Sequence, residues 1–91
     1  MSQRPELRRP DPSLLLIIQL HQLQAMLHLG LIPNPATGQP GPPNLDGARF
    51  ELALLEILEE KTRGNLDAEE ERFLLEIIAA LRMSLDSAAG G

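Results

Sequence analysis

Two histidines are the first candidates for chemistry in this chain. His21 and His28 are seven residues apart, so on a helix they share one face and lie about 10.5 Å apart along the axis. That separation is too long for both to bind one metal ion, as histidines four residues apart can. We therefore expect no metal and no cofactor, and interpret both as polar positions in a helix–helix contact. Histidines contributed by two copies of the chain are the alternative route to a metal site.

A second candidate is the run Lys61-Thr62-Arg63-Gly64-Asn65. It combines cations with glycine, as phosphate-binding loops do, but it lacks the G-x-x-x-x-G-K-[ST] order and no strand precedes it. The run is typical of a helix end, with cations near the last carbonyls and Gly64 in the turn. The alternative is a contact to an anion or to a partner's carboxylate, made by Lys61, Arg63 and Asn65.

Carboxylates are the third candidates, because residues 44–91 hold eleven acidic and five basic side chains. Acid–base catalysis needs a cleft and surroundings that shift a carboxyl pKa, and a two-helix hairpin offers little of either. A solvated acidic face is the favoured interpretation. No Ser or Thr lies at a recognisable spacing from a histidine. We expect no catalytic residues and no enzymatic activity.

Composition excludes several classes of protein. The 91 residues fit one domain, and 8 Lys and Arg against 13 Asp and Glu give a net charge of −5. Without cysteine there is no disulfide scaffold and no thiolate chemistry. An acidic chain without Trp or Tyr is a poor nucleic-acid binder, and its unbroken apolar runs are far shorter than the roughly 20 residues of a membrane span. We expect a cytoplasmic protein that binds neither nucleic acid nor membranes.

Residue types and cap signals predict an all-α fold. Leu and Ile dominate the apolar residues and Val is absent, which favours helices over strands. Three helices are expected, at about 12–29, 45–63 and 68–85. Their limits are set by N-caps at Asp11 and Asn44, an Asp67–Glu70 capping box, and glycines at the helix ends. The short link of residues 64–66 predicts that the second and third helices form an antiparallel hairpin.

The remaining segments are expected to lack regular structure. Residues 1–11 are predicted to be a disordered arm and residues 86–91 a disordered tail, leaving 12–85 as a single helical domain. Residues 33–44 hold five prolines and two glycines. We expect this Pro-rich linker to be a stiff, extended spacer that lets helix one dock away from its neighbour in sequence. A binding loop is the less favoured alternative.

The predicted helices carry more apolar surface than one small core can bury. Helix one is apolar around most of its circumference, and a helix of that kind must be covered on more than one side. A domain this small buries only about 60% of its chain surface. We therefore expect self-association as an oligomeric helical bundle, most simply a dimer. The predicted interface comprises Leu14, Ile17, His21, Gln24, His28, Phe50, Leu54, Ile57, Leu74, Ile78 and Leu81.

A second hypothesis is that the same apolar surface binds a partner protein. In that case the chain is an adaptor that presents a groove to an amphipathic helix of an unknown partner. The two hypotheses differ in a simple observable. A homo-oligomer hides its apolar surface on its own, whereas an adaptor exposes that surface until its partner is supplied.

Several short segments resemble a known bacterial family, domain of unknown function 1844. They are Gln24-Ala25, Leu29-Gly30, residues 32–38, residues 61–66, residues 69–71 and Leu81-Arg82. The resemblance covers about residues 14–85, with these segments in order and at the expected spacing. It implies a small helical, usually cytoplasmic protein without assigned catalytic residues. Helix one departs from the pattern by carrying Leu and Gln where relatives tend to have Phe and Ser, and residues 41–43 look like an insertion.

Overall fold

The computed structural model describes residues 13–90, which form three helices. They are α1 (Leu14–His28), α2 (Leu45–Thr62) and α3 (Ala68–Gly90). The residues described include no strand, so the all-α prediction is confirmed. The predicted disordered arm, residues 1–11, lies outside the described part of the chain.

The start of α1 differs from its prediction and its end agrees. Ser13, not Asp11, is the N-cap, and its hydroxyl accepts a hydrogen bond from the Leu16 amide at 3.2 Å. A start at residue 12 is therefore wrong, because Ser13 itself has extended backbone. At the other end Gly30 adopts φ +73°. Its amide donates to Leu27 and the next amide donates to Met26, which closes the last turn as a Schellman motif.

The predicted caps of the other two helices are present. The Asn44 side chain accepts from the Gly47 amide at the start of α2, and Gly64, with φ +88°, follows the helix end. Asp67 and Glu70 form a complete capping box: each side chain accepts a hydrogen bond from the other's amide, at 2.8 and 3.0 Å.

The C-terminal end of α3 corrects the sequence prediction. The helix continues to Gly90, five residues past the predicted end at Leu85, so residues 86–90 are helical rather than a disordered tail. The physical reason is that residues 86–89 include no proline and no glycine, and the two alanines there favour the helix.

Contacts across the helix seams define the topology. His21 bonds Glu51 and Arg82 bonds Glu56, while the ring of His28 lies against Gly47. The helices α1 and α2 are therefore antiparallel, as are α2 and α3, so α1 runs parallel to α3. The hairpin of α2 and α3 is confirmed. The buried apolar side chains form two clusters. The first contains Ile18, Ala25, Leu55, Leu74, Ile77, Ile78 and Leu81, and the second contains Leu29, Ala48 and Leu85.

The segment between α1 and α2 is not the extended spacer that its prolines predict. The Asn34 amide donates to the Gln39 carbonyl at 2.9 Å, and the Gly38 amide donates back to the Asn34 carbonyl at 2.7 Å. These bonds turn the chain within residues 34–39.

The same loop returns to the end of α1. The Asn44 amide donates to the His28 carbonyl at 2.6 Å, and the Gly41 carbonyl packs so closely on Gly30 that a Cβ there would lie 2.8 Å from it. The loop therefore brings α2 directly against α1, and the expectation that helix one docks away from its sequence neighbour is wrong.

The molecule is flat and exposes much surface. Its Cα atoms extend 51 × 36 × 15 Å and have a radius of gyration of 15.2 Å, against about 12 Å for a compact chain of this length. The accessible surface is 6597 Å², compared with roughly 5200 Å² for a compact 10.0 kDa monomer. Within residues 13–90 none of the helices combines the length and apolar character needed to cross a membrane.

Candidate functional site

A polar pair joins α1 to α2 in the middle of their seam. Nδ1 of His21 lies 2.7 Å from Oε1 of Glu51, whose side chain is 12% exposed. Glu51 is the buried charged residue of the described core, and it shares the inner face of α2 with Ala48 and Leu55. A carboxylate at such a site must be hydrogen-bonded, and His21 supplies that bond.

The second predicted histidine has a different environment. The ring of His28 occupies the space beside Gly47, where a Cβ would lie 2.6 Å from Nδ1. The two histidines therefore contact α2 at separate points. No group of three or more potential metal-binding side chains occurs within residues 13–90.

Exposed apolar side chains flank the seam on its outer side. On α1, Ile17 is 46% and Leu20 is 53% exposed, and on α2, Phe50 is 61% and Ile57 is 52% exposed. Spacings of three or four residues place Ile17, Leu20 and Gln24 along one side of α1. The same spacings place Phe50, the half-buried Leu54 and Ile57 along one side of α2. We call this surface the α1–α2 face, comprising Ile17, Leu20, Gln24, Phe50, Leu54 and Ile57.

The α1–α2 face differs from the rest of the surface in charge. Between Leu14 and His28 the sequence has no Asp, Glu, Lys or Arg. On α2 the charged residues Asp46 and Lys61 lie beyond the two ends of the apolar stripe. An uncharged apolar patch of this kind marks an interaction surface more often than chance exposure does.

Six residues of the predicted interface are not part of the α1–α2 face, and two of them, His21 and His28, contact α2 in the seam. Leu74, Ile78 and Leu81 are at most 5% exposed and form the core between α3 and the other helices, and Leu14 is half-buried against that core. Their apolar spacing identified a buried face correctly, but that face is covered by the same chain. Leu74, Ile78 and Leu81 are therefore enclosed within the monomer, whereas Leu14 keeps part of its surface exposed.

The turn between α2 and α3 pairs one of its cations within the chain. Arg63 is bonded to both carboxylate oxygens of Glu59, at 2.7 and 3.2 Å. This contact lowers the pKa of Glu59 and raises that of Arg63. The Asp67 carboxylate already caps the first turn of α3, and Lys61 and Asn65 are exposed. The Arg63 guanidinium and the Glu70 amide are therefore already hydrogen-bonded within the chain.

Glu51 and Gly47 are the site residues that sequence reasoning missed. Glu51 falls three residues after Ala48 and four before Leu55, so a carboxylate on an otherwise apolar stripe was a readable signal. Gly47 lies in the first turn of α2, where glycine lowers helix propensity without an evident local reason. The reason is the His28 ring, which comes from another helix and leaves no trace in the local sequence.

These features define a small all-α protein in which each of the three helices packs against the other two. Comparison with known families gives the particular group: a family model described as Domain of unknown function (DUF1844) matches residues 11–86. The chain belongs to this family, as the short segments in the sequence indicated. No curated protein and no solved structure shows significant similarity to it.

Proposed function

We propose that this protein is a non-enzymatic helical protein that self-associates through the α1–α2 face, most simply as a symmetric dimer. The observation that carries the proposal is the continuous exposure of Ile17, Leu20, Phe50 and Ile57 on one uncharged surface. Burial of apolar area stabilises association by about 25 cal/mol per Å² before the entropic cost of association is subtracted. The exposure of this face to water is unfavourable as long as the molecule stays monomeric.

The charge of the protein favours a second copy of the chain as the binding partner of the α1–α2 face. The protein has a net charge of −5, so two copies repel unless they meet through a surface without like charges. The α1–α2 face is such a surface, and a two-fold axis would place the same apolar side chains opposite each other. His21 and Glu51 lie beneath the face as a bonded pair, so burying the contact leaves neither of these groups without a partner.

The absence of enzymatic activity is part of the proposal. The ionisable side chains that the structure pairs are engaged with one another: Glu56 with Arg82, Glu59 with Arg63, and Glu51 with His21. These are contacts that hold helices and turns together. A catalytic carboxylate would instead face a cleft next to a second reactive group.

Serine variants test the proposed face. Phe50→Ser removes the exposed ring of the face, and we expect it to weaken self-association by tenfold or more, since about 1.4 kcal/mol corresponds to a factor of ten. Met83→Ser is the matched control, because Met83 is 73% exposed but lies near Leu29 and Leu31 on the α1–α3 side. Sedimentation velocity over a concentration series measures both.

Three outcomes would count against the proposal. They are a monomeric wild-type protein, an unchanged association constant in Phe50→Ser, and a larger loss in Met83→Ser. A monomer that binds a hydrophobic dye strongly would favour the alternative function, an adaptor whose α1–α2 face binds an amphipathic helix of another protein. Titration with a model amphipathic helix would then displace the dye.

A further inference from the structure

The bonded pair of His21 and Glu51 adjoins the α1–α2 face. Ile17 and Gln24 lie four residues before and three residues after His21, and Leu54 lies three residues after Glu51, so these residues of the face are helical neighbours of the pair. The side chains of His21 and Glu51 are 35% and 12% exposed. The carboxylate is therefore nearly enclosed in the monomer, whereas part of the imidazole still contacts water. A second copy on the face would remove that water.

The charge of this pair depends on a proton at one ring nitrogen. A carboxylate only accepts hydrogen bonds, so Nδ1 of His21 donates to Oε1 of Glu51 across 2.7 Å, and Nε2 takes up or releases the proton. When Nε2 is protonated, the charges of the imidazolium and the carboxylate cancel. When Nε2 is free, the pair carries one negative charge. Histidine ordinarily changes its charge between about pH 5 and about pH 8.

Glu51 is the charged side chain that faces His21 from α2. The residues three and four positions from Glu51 are uncharged, and they are Gly47, Ala48, Leu54 and Leu55. On α1 itself, the stretch from Leu14 to His28 contains no Asp, Glu, Lys or Arg. The ring of His28 lies against Gly47, away from the pair. The proton on His21 therefore decides the net charge in this part of the seam.

The remaining charged groups around the seam are exposed or already paired. On α2, Arg49 bonds Asp46, and Glu56 bonds Arg82 of α3. The side chains that α3 contributes to the core beside α1 and α2 are apolar. The charged residues of α3, none of which is buried, are Glu69, Glu70, Glu71, Arg72, Glu76, Arg82 and Asp86. Three of them line a cleft with Gln19, which lies two residues before His21 and so on a different side of α1.

We propose that protonation of His21 promotes self-association through the α1–α2 face. This inference rests on the proposed function and adds the condition that regulates it. Covering the face leaves the pair of each copy with little water, where a charge without a counter-charge is costly. The deprotonated state brings two negative charges to one symmetric interface, whereas the protonated state brings two neutral pairs. The dimer therefore binds more protons than two monomers do, so association tightens as the pH falls.

Sedimentation velocity of the full chain at about pH 8 and about pH 5.5 tests the proposal, because imidazole ordinarily titrates between these values and glutamate below them. We expect the wild-type association constant to rise roughly tenfold or more as the pH falls. His21→Gln can still donate to Glu51 but does not titrate, so its smaller rise measures the general effect of the falling net charge. His28→Gln is the matched control and should keep the wild-type rise, because His28 lies against Gly47.

Glu51→Gln should reverse the contribution of His21. With a neutral amide in place of the carboxylate, protonation of His21 leaves the pair with a positive charge instead of cancelling a negative one. Relative to His21→Gln, the association of Glu51→Gln should therefore weaken as the pH falls. Circular dichroism at both pH values should show the wild-type helix content in each variant.

A second readout requires no substitution. By the same linkage, the ring resonances of His21 should titrate at a higher pH in a concentrated, associated sample than in a dilute, monomeric one. NMR titrations at two protein concentrations measure this difference. Identical titrations of His21 in the associated and the monomeric protein would overturn the proposal.

The outcomes separate this inference from the function on which it rests. A wild-type protein that is monomeric at both pH values would contradict the proposed self-association and this inference together. A dimer with the same pH dependence in wild type and His21→Gln would overturn the inference alone and leave self-association standing. A Glu51→Gln dimer that tightens as much as the wild type would also overturn it, because the carboxylate would then have no part in the effect.

Discussion

The first helix and the α2–α3 hairpin differ in how their apolar side chains are divided between the buried and the exposed side. α3 separates its residues sharply: Leu74, Ile77 and Leu81 face inward, and its first turn carries three glutamates at the positive end of the helix dipole. α1 buries only Ile18 and Ala25 completely along its length and keeps apolar residues on its outer side as well. The comparison shows that α3 keeps most of its large apolar side chains on the core side, whereas α1 has apolar side chains on both its core side and its outer side.

The largest expected effect tests whether α1 is docked as firmly as α3. Ile18 and Leu74 are both 0% exposed, so Ile18→Ala and Leu74→Ala should each lower the free energy of unfolding by about 2–5 kcal/mol. Leu23 on α1 and Leu75 on α3 are about half exposed, do not belong to the α1–α2 face, and serve as controls, with losses below about 1 kcal/mol. Urea denaturation monitored by circular dichroism measures all four. An Ile18→Ala loss no larger than that of Leu23→Ala would show that α1 is not docked in this register.

The next effect compares the two glycines that end α1 and α2. Gly30→Ala and Gly64→Ala both force a left-handed conformation on alanine, which costs about 1–2 kcal/mol. Gly30→Ala should cost more, because its Cβ would lie 2.8 Å from the Gly41 carbonyl, whereas the space beside Gly64 is open. Thermal unfolding of the two variants shows which substitution lowers the stability more. Equal losses would contradict the close packing of the Pro-rich loop on the end of α1.

A smaller effect compares the N-caps of α1 and α3. Asp67→Ala should lower the free energy of unfolding by about 0.5–2 kcal/mol, because it breaks one half of a reciprocal capping box. Ser13→Ala removes a single hydrogen bond of 3.2 Å and should lie at the lower end of that range. Chemical denaturation resolves the difference. A larger loss for Ser13→Ala would mean that α1 depends on its own cap more than on its packing.

The smallest effect is a pH dependence confined to the hairpin. The Arg63 guanidinium hydrogen-bonds Glu59 and holds the pKa of its carboxyl below the ordinary value. A depressed pKa contributes stability above the unfolded pKa of about 4.3, and that contribution is lost as the pH falls through the folded pKa. Arg63→Ala should return the Glu59 pKa toward its ordinary value, as measured by NMR titration. An unchanged pKa would show that the two side chains do not pair in solution.

The sequence predicted those features whose causes are local. Asn44, Gly64 and the Asp67–Glu70 box set helix ends through contacts with residues three or four positions away, and the structure contains all of them. The composition of the chain was sufficient for the all-α class. Even the Gly30 turn could be read directly, because only a left-handed residue closes a Schellman motif without strain.

The features that escaped prediction depend on contacts between distant residues. Leu74 and Ile78 lie on an apolar stripe, but the stripe alone does not say whether the same chain or another covers it. The path of the Pro-rich loop depends on the Asn34–Gln39 bond and on the fit of Gly41 against Gly30. Glu51 is buried only because His21 lies opposite it on α1. In each case the partner lies on another element.

We propose that a second copy of the chain covers the apolar outer side of α1 together with the exposed apolar side chains of α2. The most direct test is the absolute mass of the wild-type protein in solution, measured by light scattering after size exclusion across a wide range of concentrations. The account predicts a mass that is a whole multiple of 10.0 kDa and most simply its double. A mass of 10.0 kDa at every concentration would contradict it.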